Sequence, residues 1–134
     1  MRISRTIEAP AEVVWQIFTD TESWPRWGPS VSGVDAPARH ITEGMRGRIE
    51  TALGPVVKFE ITRCDPLPHA CWEWKVLGIP ATTHHVEALG EDRCRASFTL
   101  PAIALPYAIV CKRALREIER LALEQHREKR SHRR

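Results

Sequence analysis

The sequence predicts an α+β protein: one antiparallel sheet, wet on one face, with a long C-terminal helix on the other. Three observations lead there. Between Leu105 and Arg127, Tyr107, Cys111, Ala114, Ile118, Leu121 and Gln125 recur every three or four residues, and Val110, Leu115 and Ala122 thicken the stripe. Lys112, Arg113, Arg116, Glu117, Arg120 and Glu124 take the opposite side. Upstream, the period of the apolar residues drops to two, as it does in half-buried strands. Between those strands the turns are short, so neighbours must run antiparallel.

Taken in order, Arg2 to Glu8 puts Ile3 and Ile7 on one face and reads as a short first strand. Pro10 opens a helix, PAEVVWQIFTD, with Glu12 in its first turn and Val14, Ile17 and Phe18 on its apolar side. In TESWPRWGP, Pro25 and Pro29 limit any helix to a short turn, which holds Trp24 and Trp27. Ser30 to Asp35 is a weak strand. Met45 to Leu53 alternates cleanly, and Gly54-Pro55 turns the chain into Val57, Phe59 and Ile61. Asp65-Pro66-Leu67-Pro68 leads to Trp72, Trp74 and Val76. Gly78 and Pro80 lead to Thr82, His84, Val86 and Ala88 on one face and Thr83, His85 and Glu87 on the other. After Gly90-Glu91-Asp92, Cys94, Ala96, Phe98 and Leu100 form the last alternating run. That makes about six or seven strands, two short helices after the first of them, and a long final helix over Leu105–Gln125. The stretch to Arg127 spans roughly 33 Å as a helix and needs a broad apolar floor, which the sheet supplies.

Composition narrows the function. The chain has 134 residues, 43% of them apolar and 28% charged, enough for one domain with a core. Residues 1–126 are expected to form that domain, and 127–134 a basic tail that frays. The net charge is +3, and much of the excess lies in that tail. The body is therefore near neutral, which argues against a nucleic-acid partner. No apolar run is long enough to span a membrane, and no signal peptide is evident. Cys64, Cys71, Cys94 and Cys111 show neither CxxC nor zinc spacing, so free thiols in the cytoplasm are expected, with no metal and no cofactor.

The opening IEAPAEVVWQIFTDTESWPRWGPSV, a strand, an Ala-Pro step, a Val-Trp helix and a Trp-rich turn, resembles the START/Bet v 1-like superfamily of polyketide cyclase/dehydrase-like proteins. The resemblance extends to about Gln125. It implies a helix-grip fold, in which a curved antiparallel sheet wraps round the C-terminal helix with an apolar cavity between them. It carries no catalytic residue over, because the superfamily has no shared catalytic motif. Its members include lipid and hormone carriers, aromatase/cyclases and partner-binding modules.

In that fold, Phe59, Ile61, Trp72, Trp74, His84, Phe98, Tyr107 and Cys111 are the expected cavity wall, with Trp24 and Trp27 at the mouth. Trp72 and Trp74 present two indoles on one strand face. They read either as a flat platform for an apolar ligand or as filling beneath the helix. His84 and His85 point to opposite faces, so they cannot share a metal ion. Parity with Val86 turns His84 inward, where it is the first choice for a polar contact. Catalytic residues stay unassigned: no paired carboxylates, nucleophile elbow or phosphate loop occurs. Three functions follow. The first is binding of a small lipid-, polyketide- or isoprenoid-like molecule. The second is a cyclase or dehydratase using His84 and Tyr107. The third is a protein-interaction module without a ligand. A cavity below ~300 Å³ would weaken the first two together.

Overall fold

The structure, a computed structural model, describes residues 1–101 and 106–132. Among the described residues the elements are, in chain order, β1 (Arg2–Ile7), α1 (Ala11–Thr19), α2 (Trp24–Trp27), β2 (Val31–Asp35), β3 (Arg46–Thr51), β4 (Val56–Asp65), β5 (Ala70–Val76), β6 (Ile79–Gly90), β7 (Arg93–Thr99) and α3 (Ala108–His132). The strands make one antiparallel sheet ordered β1-β7-β6-β5-β4-β3-β2. This is the helix-grip fold. Consecutive strands pair from β2 to β7, and β1 forms one edge by pairing with β7.

The long helix differs at both ends from the one expected over Leu105–Gln125. It begins at Ala108, after a single tight turn that holds Pro106 and Tyr107, while Leu105 lies outside the described residues. It continues to His132, so the basic tail expected to fray is helical as far as that residue. Cys111, Ala114, Leu115, Ile118, Leu121 and Ala122 are its buried stripe. The outer face is held by Arg120, whose guanidinium reaches Glu117 at 3.0 Å and Glu124 at 3.1 Å. Arg5 of β1 ties the helix to the sheet edge through Glu119 at 2.9 Å.

This helix does not cover the inner face by itself. It packs on β1, β7, α1 and α2, while α1 and α2 take the ground over β6 and β2. Phe18 of α1 meets Phe98 and His84 edge-on, at 5.6 and 5.7 Å between ring centroids. Trp24 of α2 lies against Trp72 and Phe59. At Gly47 a Cβ would come within 2.7 Å of the Phe59 ring and 2.6 Å of the Asp35 carbonyl, so only glycine leaves room for that ring.

Asp20 places α2. One carboxylate oxygen accepts from the Glu22 amide and the other from the Ser23 hydroxyl. Arg39 closes on both oxygens at 2.9 Å, a bidentate pair that fastens the loop before β3 to the turn. Burial by itself would raise the Asp20 carboxyl. The Arg39 bond, the Glu22 amide, the Arg39 charge and Ser23 outweigh it and hold the group below its ordinary value.

Two outcomes follow. A carboxyl held low in the folded state stabilises fully above its unfolded pKa, and that contribution is lost as pH falls through the folded value. Asp20→Asn should therefore melt lower than wild type at pH 7, by about 1–2 kcal/mol, with the gap closing below about pH 4 in thermal melts. Ile118, fully buried on the inner face of α3, should cost about 2–5 kcal/mol on Ile118→Ala in denaturant unfolding.

Candidate functional site

Between α2, the start of α3 and the strands β5–β7 lies an inner cavity of about 60 Å³. Trp24, Trp27, Trp72, Trp74, His84, Phe98, Tyr107 and Cys111 all line it, together with Thr82 and the Gly28–Val31 loop. Phe59 and Ile61 are buried but lie outside it, packed beneath the tryptophans. Trp24 and Trp27 do not stand at the mouth. Both are buried, with Nε1–H donated to the carbonyls of Phe18 at 3.0 Å and Ile17 at 3.3 Å. They form the inner wall.

The mouth is built from other residues. Ser30, Val31, Trp74, Thr82 and Tyr107 also line a second, open hollow of about 580 Å³. Its remaining walls are almost wholly apolar: Ile49, Leu53, Val57, Val76, Ile79, Pro80 and Pro101. The hollow lies between the β3–β4 and β5–β6 hairpin tips and Tyr107, and it adjoins the inner cavity along those five residues. Tyr107 is 39% exposed and its hydroxyl hydrogen-bonds Ser30, spanning the gap between α3 and the loop after α2. A third hollow, of about 490 Å³, lies elsewhere on the surface among Glu8, Leu123, His126, Arg127, Arg130 and Ser131. It shares no residue with the other two.

Proton positions along the polar side of the cavity follow from the partners. His84 is 1% exposed. Its Nδ1 lies 3.3 Å from the Trp72 carbonyl, which only accepts, so Nδ1 carries the hydrogen. Nε2 is then bare and accepts from the Thr82 hydroxyl at 3.3 Å. Thr82 Oγ1 in turn accepts from the Trp74 Nε1–H at 3.2 Å. Burial pushes the His84 ring down to about 3, with the Trp72 carbonyl opposing and His85 adding to the effect. The ring is neutral at physiological pH and both of its nitrogens are engaged. The Cys111 thiol, pushed up to about 11 by burial, stays protonated.

Stacking fixes the same group. The His84 ring lies 3.5 Å from the Trp72 ring at an interplanar angle of 4°, and Trp72 stacks on Trp24 at 5.3 Å and 4°. One polar atom is left over: among the described residues, the buried Trp72 Nε1 has no hydrogen-bond partner. Nothing in the sequence points to that atom, because its isolation depends on which groups the fold brings near it. The open hollow was likewise out of reach, since hairpin tips that are distant in the chain build it.

The family model described as polyketide cyclase / dehydrase and lipid transport matches residues 1–125. No curated protein matches the chain by sequence. Similar solved structures include a hypothetical protein from Helicobacter pylori at 16% identity and TM-score 0.70, covering 91% of this chain and 88% of that one. XoxI from Bacillus cereus is 17% identical with a TM-score of 0.69, covering 93% and 96%. Norcoclaurine synthase from Thalictrum flavum, in complex with dopamine and hydroxybenzaldehyde, is 14% identical with a TM-score of 0.61, covering 92% and 86%. At such identities the likeness is one of fold. Among the described residues no helix is long and apolar enough to cross a membrane.

A neutral, engaged His84 has a checkable signature. Its ring nitrogens should report the Nδ1–H tautomer by NMR and should not titrate between pH 8 and pH 5. Because the folded value is lowered, protons bind the unfolded chain first. The stability His84 contributes should therefore decline as pH falls from about 6.5 towards 3.

Proposed function

The chain belongs to the polyketide cyclase / dehydrase and lipid transport family, and from that premise we propose that it binds a small apolar molecule lying in the open hollow with one end in the inner cavity. The observation that carries the reading is that the two spaces share Ser30, Val31, Trp74, Thr82 and Tyr107. The inner cavity alone is about 60 Å³, far short of the ~300 Å³ of a small ligand pocket. The hollow, at about 580 Å³, exceeds it.

The rim supports the same reading. Leu53 is 95% exposed and Ile79 62%, both on the hollow. Leu77, at the β5–β6 tip two residues before Ile79, is 65% exposed and sits at φ 54°, where Asn or Gly would be less strained. Exposed apolar side chains at such positions add nothing to the core. They do extend a greasy surface outward from the cavity mouth.

Acid–base chemistry has less support. A candidate base needs a free lone pair and a usable pKa, whereas the lone pair on His84 Nε2 is taken by Thr82 and the ring titrates near 3. The Tyr107 hydroxyl is at the rim, bonded to Ser30.

Titration with the neutral fluorophore N-phenyl-1-naphthylamine tests the proposal. Saturable binding by the folded protein is expected, weakened several-fold in Trp74→Ala, with circular dichroism used to establish that the variant is folded. Linear, unsaturable uptake, or equal binding by the two proteins, would count against a ligand at this site.

A further inference from the structure

The exposed apolar side chains are not scattered over the surface. Of the eight large ones among the described residues, Leu53, Val56, Leu77, Ile79, Tyr107 and Ile109 stand at one end of the molecule. Leu53 and Val56 belong to the β3–β4 tip, Leu77 and Ile79 to the β5–β6 tip, and Tyr107 and Ile109 to the start of α3. The Leu77 amide donates to the Lys58 carbonyl at 2.9 Å, which places the β5–β6 tip beside the start of β4. Leu53, Ile79 and Tyr107 line the hollow, so all three projections border it. Val56, Leu77 and Ile109 do not line it, yet Val56 is 57% and Ile109 78% exposed. A small molecule in the hollow would leave these three in water. They fit an apolar phase outside the molecule.

Charge identifies that phase. Residues 50–58, 75–80 and 106–113 make up this end, and they carry Lys58, Lys75, Lys112 and Arg113 against Glu50 alone. None of the four cations is ion-paired among the described residues. Lys58 stands two residues behind Val56 along β4, and Lys75 two residues behind Leu77 on the way out of β5, roughly 7 Å at the rise of a strand. Lys112 follows Ile109 by three residues, roughly 4.5 Å along α3. Apolar tips thus lead and cations follow. The spacing matches the roughly 5–10 Å by which peripheral elements sink past lipid phosphates into the acyl boundary. The amphipathic Tyr107 ring suits the same boundary. A folded protein would have to offer separate apolar pits with carboxylates set at that one depth, whereas an anionic bilayer has this layering everywhere.

We propose that this end of the protein docks on an anionic lipid bilayer, with the tips in the acyl boundary, the lysines at the phosphates and the hollow facing the membrane. The docking does not depend on a ligand in the hollow.

Flotation with vesicles of phosphatidylcholine, with and without phosphatidylglycerol, tests it. Wild type is expected to partition onto the mixed vesicles roughly tenfold more strongly than onto phosphatidylcholine alone. Lys58→Gln with Lys75→Gln should remove most of that preference. Leu77→Asn with Ile109→Gln should weaken binding to the mixed vesicles roughly tenfold. Asn suits the positive φ at Leu77 and Gln suits a helix, so this variant keeps its fold. Neither residue lines the hollow, so its titration with N-phenyl-1-naphthylamine should match wild type. The basic end of α3 is a competing source of attraction, so flotation that Leu77→Asn with Ile109→Gln leaves unchanged would overturn the proposal. Failure of wild type to float with either vesicle would overturn it too, and dimerisation in sedimentation velocity that the same variant abolishes would assign the patch to a second copy. Dye binding without flotation sinks the docking and leaves the ligand reading standing. Flotation without dye binding does the reverse.

Discussion

The inner face of this protein depends on one hydrogen-bond chain that runs inward: Trp74 to Thr82, Thr82 to His84, and His84 to the Trp72 carbonyl. Each member is directional, and together they fix the tautomer and orientation of an imidazole that burial keeps neutral. The neutral ring can then lie 3.5 Å from Trp72, and Trp72 can carry Trp24 on the same stack. Trp24 brings α2 with it, and α2 forms one side of the cavity. A polar thread of three side chains thus orders the aromatic wall.

That wall is both core and site. The aromatic rings occupy most of the space beneath the helices, which is why the enclosed cavity is small. Room for a ligand body comes instead from the hairpin tips, where Leu53, Ile79 and Tyr107 border an open apolar hollow. Packing therefore supplies stability below and shape above, and the Ser30–Tyr107 contact spans the mouth between them.

Much of this was legible in the chain. The helical stripe from Cys111 to Ala122 and the alternation in β3 to β7 report burial directly, because each side chain's face follows from its period. The inward turn of His84 came from parity with Val86 in the same way. The positions of the tryptophans in α2 were harder. Trp24 and Trp27 are inner wall because Asp20 and Arg39 fold the turn inward, a contact between residues far apart in the chain. Register also slips between Glu73 and Lys75 and between Ile61 and Arg63, which shifts Trp74 relative to β6 and helps to set which side chains reach the cavity. Period-two reasoning is blind to such bulges. The helical course of residues 127–132 was not evident either, since their charges carry no apolar period.

The central claim is that cavity and hollow act as one ligand site. A crystal structure of the protein grown with N-phenyl-1-naphthylamine tests it most directly. The account predicts ligand density running from the hollow beside Val57 and Ile79, past Tyr107, to the Trp72 ring. Density at another surface with this path filled only by ordered water, or a Tyr107 gate closed over an unchanged aromatic core, would contradict it.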